Sequence, residues 1–214
     1  MATPIGRPIR SFVLRQGRTT PAQQRALGEL LPKYGISFPR AITSAKPLVL
    51  EIGSGMGETT AAIAKAHPEL DFVAVEVHAP GIGSLLNRIE KEGITNLRVV
   101  RHDAVEVLER MVADGALAAL HLFFPDPWPK KRHHKRRLVQ AGFVSLVKDK
   151  LARGGIVHAA TDWTEYAEQM AAAFADNASF QMAERGLVER PATKFEQRGR
   201  RLGNPVRDLV FVRR

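Results

Sequence analysis

A glycine-rich segment lies where an apolar run gives way to a helical pattern. The residues Glu51-Ile52-Gly53-Ser54-Gly55-Met56-Gly57 follow the apolar stretch 47–50 and precede ETTAAIAKAH. Glycines at such a turn allow a tight backbone and the close approach of a ligand. A dinucleotide fingerprint would need a glycine where Glu58 stands, and a carboxylate at that helix start would repel a pyrophosphate. The spacing therefore favours a positively charged ligand without phosphates.

Two further carboxylates follow the next two predicted strands. Glu76 ends the run FVAVEV, where a carboxylate can accept hydrogen bonds from both hydroxyls of a ribose. Asp103 follows LRVVR, where it can accept from an adenine amino group. The carboxyl ends of parallel strands share one edge of the sheet, and ligands bind at that edge. Because a tight turn needs glycines for structural reasons alone, the glycines do not by themselves indicate a ligand. The ligand site is predicted from Glu51, Glu76 and Asp103 together.

Strand and helix patterns alternate from residue 47 to residue 175. Strands are predicted at PLVLEIG, FVAVEV, LRVVR, ALAALHLFF and GIVHAAT, with helices at 58–67, about 82–92, 104–113, about 139–151 and 164–175. This alternation predicts an α/β fold with a doubly wound, mostly parallel sheet and right-handed crossovers. Two later β-like runs, FQMAERGLV and RDLVFVRR, are separated by a basic loop and predict an antiparallel hairpin at one edge.

The N-terminal part of the chain differs from this pattern. Residues 1–20 hold prolines, glycines and arginines without an apolar period, which predicts a basic arm. A helix is expected from Pro21 to about Leu31, ended by Pro32 and Gly35. We therefore predict an arm and helix over 1–40 and a single domain over 41–214.

Positive charge is unevenly distributed along the chain. The formal net charge is +10, and it is concentrated in residues 1–40, 130–150 and 184–214, whereas the segments between them are net acidic. Three basic segments on an acidic body predict a polyanionic partner, and nucleic acid is the commonest one in the cytoplasm. No apolar run approaches 18 residues and no signal peptide is recognisable, so we expect a cytoplasmic protein without a membrane span. The chain has no cysteine, which excludes disulfides and thiolate chemistry.

A proline-rich segment and a basic run follow the fourth predicted strand. In Phe123-Phe124-Pro125-Asp126-Pro127-Trp128-Pro129, three prolines predict a stiff loop that holds Asp126. A half-buried carboxylate beside aromatic rings can accept the ring and amino N–H groups of guanine, and Trp128 with the phenylalanines offers a stacking surface. The run Lys130–Arg137 carries six positive charges in eight residues, and we predict that it contacts a nucleic-acid backbone rather than forming a solvated loop. His133 and His134 project in different directions without an acidic partner nearby, so no metal site is predicted.

These motifs together resemble a known family. The EIGSGMG loop and its carboxylates are similar to those of class I S-adenosylmethionine-dependent methyltransferases. FFPDPWPKKRHHKRR resembles the signature of the bacterial tRNA (guanine-N7-)-methyltransferase family. RSFVLRQGRTTPAQQRAL and TKFEQRGRRLGNPVRDL agree with it, apart from Asn204, where the family leads us to expect a histidine. The resemblance spans essentially the whole chain.

The resemblance implies a Rossmann-like, seven-stranded methyltransferase domain that binds S-adenosylmethionine and tRNA. It implies methyl transfer to N7 of the guanosine at tRNA position 46, in the variable loop, with Asp126 as the catalytic residue that aligns the guanine and stabilises developing positive charge. The cofactor residues implied are Glu51, Gly53, Gly55, Gly57, Glu76, Asp103 and Asp126. The substrate residues implied are Lys130, Asp162, Thr193, Lys194, Phe195 and Glu196, and the RNA-binding residues are Arg132, His133, His134, Lys135, Arg136 and Arg137. No metal and no obligatory protein partner is implied.

Two other function classes remain open. A non-catalytic RNA-binding protein with this fold would be favoured if Asp126 or Glu51 were absent, and both are present. A nicotinamide-dependent oxidoreductase is disfavoured by Glu58 in place of the third fingerprint glycine. Comparing the binding of S-adenosylmethionine with that of NAD, and then measuring transfer of a labelled methyl group to bulk tRNA, separates these classes. Neither the oligomeric state nor the preferred tRNA species follows from these patterns.

Overall fold

Seven strands form one sheet with helices on both faces in the computed structural model, which describes residues 10–13, 17–191, 196 and 205–214. The strands are β1 Leu48–Ile52, β2 Asp71–Val75, β3 Leu97–Val100, β4 Leu117–Phe123, β5 Leu151–Thr161, β6 Phe180–Met182 and β7 Arg207–Arg213. The helices are α1 Pro21–Arg25, α2 Leu31–Tyr34, α3 Glu58–Ala66, α4 Ala79–Glu92, α5 Ala104–Met111, α6 Ala141–Lys150 and α7 Thr164–Ala175. A 3₁₀ helix, Lys131–Arg136, lies within the basic run.

The strand order confirms the predicted doubly wound, mostly parallel sheet. The order is β3-β2-β1-β4-β5-β7-β6, with β1 to β5 parallel. Strand β7 pairs antiparallel with both β5 and β6, so the antiparallel pair at one edge is confirmed, although β6 is shorter than the run FQMAERGLV suggested. Strands β2 and β3 lie on one side of β1, whereas the chain then crosses over so that β4 lies on the other side of β1. This reversal creates a crevice at the carboxyl ends of β1 and β4, where α/β proteins bind ligands.

Two apolar cores lie on the two faces of the sheet. Alternate strand residues such as Val49, Phe72 and Val99 pack against α3 and α4, whereas Leu50 and Leu120 belong to the core under α5, α6 and α7. All five residues of β1 are buried, as expected for a parallel strand covered on both faces. The central strands are therefore a rigid support for the loops at their carboxyl ends.

The N-terminal helix continues past the point where the sequence predicts its end. Helices α1 and α2 are joined by a π-helical segment, Ala26–Leu30, and the helical stretch ends at Gly35. Gly35 ends the helix as predicted, whereas the prediction that Pro32 ends it is wrong. In the widened turn the Leu31 N–H donates to the Ala26 carbonyl, so the proline ring is accommodated. This stretch packs on α4, where a Cβ at Gly83 would lie 2.8 Å from Gln23.

Candidate functional site

The glycine-rich loop between β1 and α3 depends on left-handed backbone conformations. Gly53, Gly55 and Gly57 have φ angles of 77°, 55° and 76°. A side chain in this region costs about 1–2 kcal/mol. A Cβ at Gly57 would lie 2.5 Å from Cδ1 of Leu85, whereas a Cβ at Gly53 would meet nothing within 4 Å. Gly57 therefore allows the loop to pack on α4, and the backbone at Gly53 borders open space.

The carboxylate of Glu76 joins this loop to the end of β2. Its Oε2 accepts a hydrogen bond from the Gly55 N–H at 2.9 Å. Its Oε1 accepts from the N–H groups of Val77 at 2.7 Å and His78 at 2.9 Å. A carboxylate has about four acceptor sites, so three backbone donors leave about one for a ligand hydroxyl. Glu76 thus lines the cavity and also holds the glycine-rich loop in place. The sequence did not predict the second role.

Glu51 is a buried carboxylate with one oxygen unpaired. Its Oε1 accepts from the Thr60 hydroxyl at 2.9 Å, whereas Oε2 has no partner among the described residues. Burial and the nearby charge of Glu76 raise the pKa of Glu51 to about 7, and the Thr60 hydrogen bond opposes this rise. Leaving a buried polar atom unpaired is costly. A positively charged ligand group facing Oε2 would remove that cost.

Two cavities meet at this edge of the sheet. The inner cavity, of about 230 Å³, is bounded by Glu76 and by apolar side chains at the ends of β2 and β4. The outer cavity, of about 730 Å³, is bounded by Glu51, the glycine-rich loop, Asp162 and Trp163. Gly53 and the stretch 123–126 line both cavities. The structure therefore brings Glu51, Glu76, Asp126 and Asp162 together around one continuous space.

The proline-rich loop is held in a strained conformation. Phe124 and Trp128, on either side of Asp126, have positive φ angles of 52° and 45°, which non-glycine residues rarely adopt. The Phe124 N–H donates to the Ala160 carbonyl at 2.7 Å, and the Trp128 Nε1–H donates to the Ser11 carbonyl at 3.1 Å. The Asp126 side chain is exposed at the junction of the cavities, rather than half-buried as the sequence suggested.

Arg137 lies inside the protein, which corrects its predicted role in RNA contact. Its side chain is only 1% exposed. The guanidinium donates to the Pro127 carbonyl at 2.8 Å and to Gln169 at 2.6 Å, and lies 5.0 Å from the Tyr166 ring centre. These contacts leave no surface for a phosphate. Arg137 instead fixes the loop that carries Asp126.

The remaining basic run forms an exposed cationic face. Lys130, Lys131, Arg132 and Lys135 are exposed, and His133, His134 and Arg136 are half-buried. The Arg136 guanidinium stacks on the Trp128 ring at 4.7 Å. Burial and then the surrounding cations lower the pKa of His133. We call Lys130–Arg136 the basic face.

Asp103 lies outside both cavities. Its Oδ1 accepts from the Val105 N–H at 2.8 Å and caps α5. Its neighbours in the chain, His102 and Ala104, line the inner cavity, while Asp103 borders a shallow surface pocket beside it. The structure therefore gives Asp103 a structural role and leaves its contact with the cofactor a prediction.

Glu196 belongs to a buried ionic network that the sequence did not reveal. It is 2% exposed, and its carboxylate lies 2.6 Å from the Arg190 guanidinium. The same guanidinium donates two hydrogen bonds of 3.0 Å to Asp208, which also contacts His158 Nε2 at 2.9 Å. Burial acts to raise the pKa of Asp208, but the hydrogen bonds from His158 and Arg190 hold it well below its usual range.

This network reaches the loop that carries Asp126. The Arg190 guanidinium lies 5.6 Å and 5.5 Å from the ring centres of Phe123 and Phe124. It therefore links Glu196 to the start of the proline-rich loop, which favours a positioning role for Glu196. The other predicted substrate residues of this stretch, Thr193, Lys194 and Phe195, lie outside the described residues.

Within residues 10–13, 17–191, 196 and 205–214, no group of three His, Cys, Asp or Glu side chains is arranged to hold a metal ion. In the same ranges, no helix is long and apolar enough to cross a membrane.

Solved structures of other proteins share the fold of this chain. A family model described as "Putative methyltransferase" matches residues 45–209. An rRNA methylase from Streptococcus thermophilus superposes with a TM-score of 0.54 at 14% identity, over 78% of this chain and 87% of that one. A 16S rRNA (adenine(1408)-N(1))-methyltransferase from Catenulisporales acidiphilia, solved with its cosubstrate, superposes with a TM-score of 0.52 at 21% identity, over 79% and 87%.

Sequence relatives are much closer. A protein of Nitrosomonas eutropha named tRNA (guanine-N(7)-)-methyltransferase is 54% identical over 96% of this chain and 97% of its own length. A protein of the same name from Neisseria meningitidis serogroup A is 51% identical over 97% of this chain and 92% of its own length. The resemblance that the motifs suggested is confirmed, and the chain belongs to the tRNA (guanine-N7-)-methyltransferase family.

Proposed function

We propose that this protein transfers the methyl group of S-adenosylmethionine to N7 of a guanosine in the variable loop of tRNA. The observation that carries the proposal is the pair of cavities that meet at Gly53 and Asp126 beside the basic face. The inner cavity suits a nucleoside, and the outer cavity is open to a base that approaches from solvent. The names of relatives that match over nearly their full length support the same activity.

The cofactor site fits S-adenosylmethionine in charge and shape. Its ammonium group matches the unpaired Oε2 of Glu51 in the outer cavity. A ribose hydroxyl of the cofactor can donate to the acceptor site that remains on Glu76. The adenine can pack between the apolar walls formed by Val75, Leu122 and Leu138 in the inner cavity. The open space at Gly53 leaves room for the part of the cofactor that connects its amino-acid end to its nucleoside. When bound, this cofactor supplies a methyl group activated by attachment to a sulfonium.

Asp126 acts on the guanine. N7 of guanine has a free lone pair, so no proton has to be removed before the transfer. The protein has to align N7 and to stabilise the positive charge that spreads over the purine. The Asp126 carboxylate, exposed at the junction, can accept from the guanine N–H edge and oppose that charge. This chemistry requires neither a metal ion nor a second protein.

The basic face positions the tRNA. It begins at Lys130, four residues after Asp126, so phosphate contacts there set the register of the base in the outer cavity. Asp162 lies on the far wall of that cavity and provides a second acceptor. We assign the activity to the cytoplasm, where tRNA is modified.

The pH dependence of cofactor binding tests the role of Glu51. Because the free protein has a Glu51 pKa of about 7, and the cofactor ammonium favours the charged carboxylate, binding should release a proton near neutral pH. Affinity should fall by up to about tenfold per pH unit as the pH is lowered below 7. Calorimetry between pH 5.5 and 7.5, where the cofactor ammonium stays largely protonated, in buffers of different ionisation enthalpy, measures both effects.

Glu51→Gln is the matched control, since it keeps the shape and removes the titration. This variant should bind S-adenosylmethionine more weakly at pH 7.5 by roughly 2 kcal/mol, the usual cost of losing a charge-assisted hydrogen bond. Its affinity should not change with pH in this range. A wild-type affinity that is equally flat would show that Glu51 does not face the ammonium.

The isosteric variant Asp126→Asn tests the catalytic carboxylate. Loss of a fixed contact to the charge of the transition state should lower kcat by at least about a hundredfold. The folding stability should be nearly unchanged because Asp126 is exposed. Asp149→Asn, at the opposite edge of the sheet beside Gly115, is the control and should retain full activity. Full activity of Asp126→Asn would exclude a catalytic carboxylate at this position.

Neutralising the basic face tests its contact with tRNA. Lys131, Arg132 and Lys135 are all exposed, so replacing them together with glutamine should leave the fold intact. Each phosphate contact contributes to the fall of log affinity with log salt concentration, so the slope should flatten by about two to three units. Affinity for S-adenosylmethionine should stay the same, because the proposed cofactor site is formed by residues at the carboxyl edge of the sheet and not by the basic face.

A matched triple variant separates local contact from net charge. Lys46, Lys65 and Lys91 are exposed on the acidic body of the protein, and their replacement removes the same three charges. This control should change tRNA affinity and its salt slope much less. Equal salt slopes for wild type and for the variant of the basic face would contradict the proposed interface.

A further inference from the structure

Trp163 presents an exposed indole at the outer cavity. It follows Asp162 directly after β5, and the residue remains 37% exposed. Its backbone N–H donates to the Thr161 hydroxyl at 3.2 Å, and its backbone forms the N-cap of α7. The residue is thus anchored between a strand end and a helix start, and it lines the cavity that Asp126 also lines.

The other aromatic side chains near the site are already occupied. The Trp128 ring carries the Arg136 guanidinium at 4.7 Å, and its Nε1–H is bonded to the Ser11 carbonyl. Phe123 is buried against His158 and, like Phe124, lies against Arg190. The sequence had indicated these three rings as the stacking surface.

Trp163 differs from them in its surroundings. Within the described ranges, it has no ring–ring and no cation–ring contact. An indole without such a partner at a cavity of about 730 Å³ offers a stacking surface, because aromatic side chains commonly line ligand sites and stack on unpaired bases. Of the aromatic residues that line the outer cavity, Trp163 has the ring that is free to stack.

We propose that Trp163 stacks on the target guanine and stabilises the positive charge that the base acquires during methylation. The proposal rests on the proposed function and adds a catalytic residue to it. N7 forms a bond to the methyl carbon with its lone pair as the carbon–sulfur bond breaks. No proton leaves, the sulfur becomes a neutral thioether, and the positive charge passes to the purine ring.

The indole is suited to this charge change. Among side chains, tryptophan has the strongest attraction for a cation placed over its ring. The neutral guanine of the bound substrate gains only stacking, whereas the purine that is becoming cationic gains stacking and cation–π attraction. An interaction that is stronger in the transition state than in the ground state raises the rate of the chemical step.

The test compares Trp163→Phe with Trp163→Leu, which are similar in size and differ chiefly in the aromatic face. Methyl transfer to tRNA is measured in single turnovers at saturating tRNA and S-adenosylmethionine, which isolates the chemical step from binding and release. Titration with S-adenosylmethionine gives the active fraction of each variant, and its affinity should match wild type. We expect the rate to fall by roughly tenfold for Trp163→Leu and by a smaller factor for Trp163→Phe.

Two results would overturn the proposal. Equal losses in the Phe and Leu variants would show that Trp163 acts only by its bulk, and wild-type rates in the Leu variant would show that the ring does not touch the base. Either result leaves the proposed function intact if the wild-type protein still forms 7-methylguanosine. Absence of 7-methylguanosine with the wild-type protein would instead refute the proposed function itself.

Discussion

The carboxylate of Glu76 is the interaction on which the carboxyl edge of the sheet depends. One side chain accepts three backbone N–H groups, from Gly55, Val77 and His78, and so joins the glycine-rich loop to the end of β2. Hydrogen bonds to a charged acceptor are stronger than those between neutral groups, so this contact can hold a loop with several left-handed residues in one conformation. The loop in turn lines the outer cavity together with Glu51. A single carboxylate at a strand end therefore determines the shape of the space for the ligand.

The proline-rich loop is positioned by two buried arginines. Arg137 holds the carbonyl of Pro127, and Arg190 lies against the rings at the start of the loop while it pairs with Glu196 and Asp208. Strained residues on either side of Asp126 persist because these contacts fix both ends of the loop. In the proposed function, the exposed carboxylate would act on the base from this fixed loop, and such preorganisation lowers the cost of reaching the transition state.

The sequence predicted the sheet well, for a physical reason. Strands buried on both faces read as continuous apolar runs, and the carboxylates that follow them must meet at one edge. Contacts between distant segments were not predictable in this way. Nothing in the local pattern distinguishes the buried Arg137 from the exposed Arg132, since both belong to one basic run. Likewise, Trp163 became a candidate only when the structure showed that Arg136 already covers the ring of Trp128.

The nucleoside that the protein methylates is the most direct test of the account. Unmodified tRNA transcripts would be incubated with the protein and isotopically labelled S-adenosylmethionine, then cut into fragments, and the modified nucleoside would be identified by mass spectrometry. The account predicts label in 7-methylguanosine at one guanosine of the variable loop. Label in another base, at another atom of guanine, or at guanosines spread over several loops would contradict it.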